Sequence, residues 1–130
     1  MRVIVCGGRN WGDYPNQRAQ IYAALDTIHA ATPITYLWHG NAHGVDTVAG
    51  TWATLKGNIR VCPVAAEWSK YGDRAGPIRN KNMLGQGIEL VIAFPGGKGT
   101  TNMIAQAQHA GVKVVKPLTQ SVIGDKRHAT

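Results

Sequence analysis

Arg2-Val3-Ile4-Val5-Cys6-Gly7-Gly8 decides how the rest of the chain is read. An apolar run rich in β-branched residues makes a short buried strand, and the paired glycines stop it at once. The segments that follow repeat that theme. A helix is expected over residues 15–31, because Pro15 suits a first helical position and Ile21, Leu25 and Ile28 share one face. Residues 34–38 read as a second strand, closed by the turn His39-Gly40-Asn41-Ala42-His43-Gly44. Val45, Val48, Ala49, Trp52 and Ala53 then keep the spacing of one helical face up to a stop at Gly57. Residues 59–64 give a third strand, and an irregular segment follows around Glu67 to Asp73. Gly76-Pro77 opens a helix through Leu84, and residues 88–94 form a fourth strand ended by Pro95-Gly96-Gly97-Lys98-Gly99. Thr100 or Thr101 is expected to cap a helix reaching Ala110, with Gly111 ending it and residues 112–115 forming a fifth strand.

Strands alternating with helices at these lengths imply an α/β, Rossmann-like single domain. Its sheet is mainly parallel, of about five strands, with helices on both faces. The domain is expected over residues 1–116, with residues 117–130 a patternless C-terminal extension. With 130 residues, 44% hydrophobic and 16% charged, the chain can bury one core and is too apolar to stay disordered. Its apolar runs fall far short of the ~20 residues that cross a bilayer. The opening stretch lacks a small-residue cleavage site before Gly7-Gly8-Arg9, so a cytoplasmic protein without membrane contact is expected. Cys6 and Cys62, each at the end of an apolar run, read as free thiols.

Fourteen Lys and Arg against seven Asp and Glu leave a formal charge of +7, which calls for an anionic partner. Apart from Lys126-Arg127-His128 the basic residues are dispersed, which favours a pocket for a phosphorylated small molecule over a nucleic-acid-reading helix. In an open parallel sheet all strand C-termini lie along one edge, and ligands bind in the crevice there. Three glycine turns reach that edge here: Gly7-Gly8, Gly40 to Gly44, and Gly96-Gly97-Lys98-Gly99. Glycine lets backbone amides approach a ligand, and the helix N-terminus beyond adds partial positive charge. Two common nucleotide motifs are absent. The first turn lacks G-x-G-x-x-G, and the second strand ends without an acid to hold a ribose. Lys98 is not followed directly by Ser or Thr, and no glycine stands five residues before Gly97, which argues against a nucleoside triphosphatase.

Gly40-Asn41-Ala42-His43-Gly44-Val45-Asp46, Gly76-Pro77-Ile78-Arg79-Asn80 and Phe94-Pro95-Gly96-Gly97-Lys98-Gly99-Thr100 follow the opening strand in order. As a set they resemble the SLOG superfamily, which joins the SMF/DprA proteins to the "lonely guy" cytokinin-activating enzymes, and within it the YspA branch of YpsA-related proteins. The resemblance implies a modified Rossmann sheet, usually dimeric or of higher homo-oligomeric order, that binds nucleotides or nucleotide-derived signals, in some members during conflict between bacteria and phage. Enzymatic members cleave the base from a nucleoside monophosphate, and members with DNA roles bind single strands. In the lonely-guy motif P-G-G-x-G-T-x-x-E the final glutamate serves that cleavage, and Met103 stands in its place here. Methionine can neither take a proton nor steady an oxocarbenium-like centre. Arg79 matches the family's arginine, whose fork suits a phosphate or a carboxylate.

The expected ligand-binding set is therefore Gly7, Gly8, Arg9 and Trp11; Gly40, Asn41, Gly44 and Asp46; Arg79 and Asn80; and Pro95, Gly96, Gly97, Lys98, Gly99, Thr100 and Thr101. Asp46 suits either first-turn charge complementarity or a ribose hydroxyl. Lys98 suits either phosphate contact or solvent. Trp11, Trp68 and Tyr71 either stack on a base or pack a loop, while Trp38 and Trp52 belong to the core. His39 and His43 lie on a turn with no third ligand nearby, so neither a metal nor a cofactor is expected. The leading expectation is a sensor or sequestering protein for a nucleotide-derived ligand. Its competitors are an N-glycosidase acting on nucleoside monophosphates through Asp46, Glu67 or Asp13, and single-stranded nucleic-acid binding.

Overall fold

The computed structural model describes residues 1–118. Five parallel strands form one sheet, β1 (Arg2–Cys6), β2 (Tyr36–His39), β3 (Arg60–Pro63), β4 (Leu90–Ala93) and β5 (Lys113–Val115), in the order β3-β2-β1-β4-β5. The helices are α1 (Pro15–Ala31), α2 (Val45–Lys56), the short α3 (Trp68–Tyr71), α4 (Ala75–Leu84) and α5 (Lys98–His109). The fold is thus the expected Rossmann-like α/β sheet. From β1 the chain builds outward through β2 to β3, then crosses back to lay β4 against the other side of β1. The order reverses between β1 and β4, and the two strand ends diverge there into a crevice.

Alternation along β1 divides the core. Val3 and Val5 face α1 and α2, packing with Ile21, Leu25, Ala49 and Trp52. Ile4 faces the other side, with Trp38, Met83, Val91, Met103 and Ala107. Both faces of the central strand are covered, which is why its sequence is a continuous apolar run rather than an alternating one.

Four local expectations change. The second strand runs Tyr36–His39 rather than 34–38, because His39 is buried, at 4% exposure, over Gly50 of α2. A Cβ on Gly50 would stand 2.8 Å from the His39 Nε2 atom, so that glycine makes room for the imidazole. The segment taken as irregular holds α3 and a 3-10 turn, Gly72–Arg74. Helix α5 starts at Lys98 with Gly97 as its N-cap, so Thr100 and Thr101 lie inside the helix. Buried Thr100 packs beside Gly96, and the Thr101 hydroxyl donates to the Gly97 carbonyl at 3.1 Å. Finally, β3 and β4 are shorter than the runs 59–64 and 88–94. Of the expected extension 117–130, Leu118 packs against the core and residues 119–130 lie outside the described residues. No helix among the described residues is long and apolar enough to cross a membrane.

Candidate functional site

A cleft of about 910 Å³ opens over the reversal between β1 and β4. It is near the top of the ~300–1,000 Å³ range of small-molecule sites. Its floor is made by two glycine turns in backbone contact. The Gly8 amide donates to the Pro95 carbonyl at 2.7 Å. A Cβ on Gly96 would fall 2.8 Å from the Gly8 nitrogen, and a Cβ on Gly7 would fall 2.5 Å from Val45 Cγ2. Gly44 has a φ of +89° and stands against the Gly8 carbonyl, which receives the Val45 amide at 3.2 Å. These glycines are required by the packing of protein on protein.

Gly97 and Gly99 differ. Both line the cleft, neither has a positive φ, and a Cβ on either would meet nothing within 4 Å. Packing gives no reason for glycine at these two positions. They stand at the start of α5, whose first-turn amides have no partners within the helix. No side chain caps them and the first turn holds no acid, while Lys98 occupies the first helical position.

The N-terminus of α2 is the opposite case. Asp46 sits in its first turn, and the Gly8 carbonyl takes its first amide. Asp46 is 6% exposed and folds back so that Oδ2 accepts from the Gly40 amide at 3.0 Å and the Ala42 amide at 3.3 Å. Burial pushes its carboxyl up to about 6, against the opposing pull of those amides and of Arg79. Its first-turn charge thus already serves the α2 dipole, and an anionic group is better received at α5.

Arg79, half-buried on α4, spans the cleft wall. Nη1 donates to the Gly40 carbonyl at 2.7 Å and the Val64 carbonyl at 3.3 Å, and Nε donates to Asn80 Oδ1 at 2.8 Å. Burial lowers its pKa, partly offset by Asp46, yet a guanidinium keeps its charge. Nη2 has no partner among the described residues, and no buried side-chain nitrogen or oxygen among them lacks one, so Nη2 is solvent-accessible on a residue that lines the cleft.

Of the expected set, Asn41, Gly44 and Thr101 lie outside the lining, and the rest line the cleft. Asn41 (φ +57°) turns its amide onto His39 Nδ1 at 3.0 Å. Among the candidate acids Asp46 alone lines the cleft. Glu67 is exposed away from it, and Asp13 pairs with His43 at 2.7 Å on the surface. His39 and His43 therefore point apart, and burial lowers the His39 pKa. Trp11 stacks on Phe94, with ring centroids 6.5 Å apart, and also reaches the cleft. Trp68, 48% exposed, rims the cleft with the Arg9 guanidinium 5.5 Å from its ring, whereas Tyr71 does not line it. Cys6 lies at the floor as a free thiol pushed up to about 12 by burial. Met103 is fully buried behind the wall.

The sequence reading missed Gly76, Pro77 and Met83, although Gly76 and Met83 stand three residues before and four after Arg79, on one face of α4. It also missed Asn10, Ala42, Asp73 and Asn102. For Asn102 the signal is Gln106, one helical turn on.

An open parallel sheet with a cation-bearing, glycine-walled cleft at its order reversal defines a Rossmann-like domain. The chain belongs to the YspA, cpYpsA-related SLOG family, whose model (YAcAr) matches residues 1–71. It is also similar to the Gene 61 protein of Mycobacterium phage D29, at 34% identity over 121 residues covering 88% of this chain and 94% of that protein. The matched family region spans β1 to α3, whereas Arg79 and the α5 turn come later in the chain.

Proposed function

We propose that this chain binds a nucleotide or nucleotide-derived signalling molecule in the cleft, as a sensor or sequestering protein. The observation that carries the reading is the pair Gly97 and Gly99. They are glycines on which a Cβ would meet nothing, on an uncapped, acid-free helix start inside the cleft. Phosphate oxygens close on those amides, with Lys98 and Arg79 Nη2 as cations nearby. Trp68, whose ring edge packs beside Gly76 at the rim of the cleft, offers the base an aromatic surface. SLOG membership supports a nucleotide-related ligand, and a relative encoded by a phage supports a role in the contest between phage and host. The protein acts in the cytoplasm as a homodimer.

Native mass spectrometry of freshly purified protein, followed by denaturation, tests this reading. The expected result is a nucleotide-derived molecule released at one per protomer, from a particle of twice the chain mass. Empty protein that also binds no nucleoside mono- or diphosphate in calorimetry would overturn the binding reading, and a monomer would overturn the dimer.

A buried carboxyl with a pKa near neutrality in the cleft favours a second reading, N-glycosidase action on a nucleoside monophosphate through Asp46. Release of free base, abolished in Asp46→Asn, would establish it. Single-stranded DNA binding instead predicts affinity that grows with strand length and falls steeply with salt.

A further inference from the structure

Asn102, on α5, is joined to α4 by a chain of side-chain amides whose polarity is set at both ends. At one end stands Arg79. A guanidinium only donates, so the Asn80 group facing its Nε at 2.8 Å is the carbonyl oxygen. The Asn80 amide nitrogen is thereby turned to the Gly99 carbonyl at 3.2 Å and to Asn102 at 3.1 Å. Asn80 is 3% exposed, with its oxygen and its nitrogen both engaged by neighbouring groups. At the other end stands the Pro77 carbonyl, which only accepts. Gln106 must therefore present its amide nitrogen there, at 3.0 Å, and the same nitrogen lies 2.7 Å from Asn102. Both routes require that Asn102 turn its Oδ1 inward. Its Nδ2 then has no partner among the described residues, and because no buried side-chain nitrogen among them lacks one, Nδ2 is solvent-accessible on a residue that lines the cleft.

We infer that Asn102 reads the ligand, holding a hydrogen-bond-accepting oxygen with an amide that the fold locks as a donor. The inference rests on the cleft's being a nucleotide site. Two ligand oxygens share that chemistry, a phosphate oxygen and a base carbonyl. The amide chain also couples the reader to Arg79, so that the ligand-facing donors of α4 and α5 are set by one network. A side chain whose orientation is locked before the ligand arrives loses little freedom on binding.

Asn102→Asp is a clean probe. Both internal bonds are accepted by one oxygen, which a carboxylate retains, and only the cleft-facing group changes, from a donor to an anionic acceptor. Calorimetry is done with the 5′-monophosphates and the unphosphorylated nucleosides of guanine and adenine, alongside thermal melting of wild type, Asn102→Asp and Asn102→Ala. The expected order of affinity is wild type, then Ala, then Asp, with Asp weaker than wild type by about tenfold or more and its melting midpoint unchanged. A loss shared by guanosine and its monophosphate, and absent for adenine ligands, assigns the base carbonyl; a loss confined to phosphorylated probes and equal for both bases assigns a phosphate oxygen. A merely structural Asn102 reverses the order, with Ala damaging both stability and affinity and Asp harmless, and that result overturns the inference. Wild-type protein that binds no probe removes the proposed function and the inference with it. Wild-type binding left intact by Asn102→Asp removes the inference alone.

Discussion

Replacing Gly99 with Ala should make the protein more stable and a worse binder at the same time. Gly99 lies inside α5 with helical backbone, and the added methyl meets nothing within 4 Å, so no steric cost offsets the gain in helix formation. That gain is about 0.5–1 kcal/mol, most of it from restricting the unfolded chain. For a domain of this size it corresponds to a rise of roughly 2–5 °C in melting midpoint. The same methyl stands where an anion would close on the Gly99 amide, and a loss of about 1.4 kcal/mol is already tenfold in affinity. Gly96→Ala is the matched control. Its methyl would be driven to 2.8 Å from the Gly8 nitrogen and against Thr100, and overpacking of that kind costs about 1–3 kcal/mol. Thermal melting with and without guanosine monophosphate reads both effects. Opposite shifts in stability, with binding lost in Gly99→Ala, are expected. A lower midpoint for Gly99→Ala would show that the position is needed by the fold, and unchanged affinity would remove the α5 amides from the site.

Asp46→Asn keeps an oxygen for the Gly40 and Ala42 amides and removes a titration. The folded carboxyl sits at about 6 against 3.8 in the unfolded chain, so the folded state holds the extra proton between those values. Its contribution to stability is greatest below 3.8 and is lost as pH rises through about 6. The variant should therefore gain about 2–3 kcal/mol over wild type at pH 7 and little at pH 4, as chemical denaturation at the two pH values would show; an equal gain at both would refute the burial argument. Arg79→Ala strands the Gly40 and Val64 carbonyls and Asn80 Oδ1, and should cost about 2–4 kcal/mol of stability as well as at least tenfold in phosphate-ligand affinity. Unchanged calorimetric affinity for a nucleoside monophosphate would take it out of the site. Trp68→Ala, at a half-exposed rim, should leave the melting midpoint nearly unmoved and weaken nucleotides by about 1–3 kcal/mol without affecting inorganic pyrophosphate; equal loss for both probes would rule out base stacking.

Local sequence was enough to determine the sheet and its four longer helices. The apolar β-branched runs mark buried strands because both faces of a parallel sheet are covered, and the glycines after them mark strand ends because a Cβ would collide at Gly7, Gly44 and Gly96. The same logic places Gly8 and the 95–100 turn at one edge, and the resemblance to the family adds Arg79. It could not say which glycines face protein and which face open space, since Gly96 and Gly97 are neighbours in one motif with opposite surroundings. Nor could it tell that Asp46 is folded back and buried, that His39 points into a gap left by Gly50, or that Asp13 is engaged by His43 at the surface. Those outcomes depend on groups distant in the chain meeting at fixed distances. The polarity of Asn102 is the extreme case, because it follows from Arg79 and Pro77 on another helix, and only packing α4 against α5 brings those constraints together.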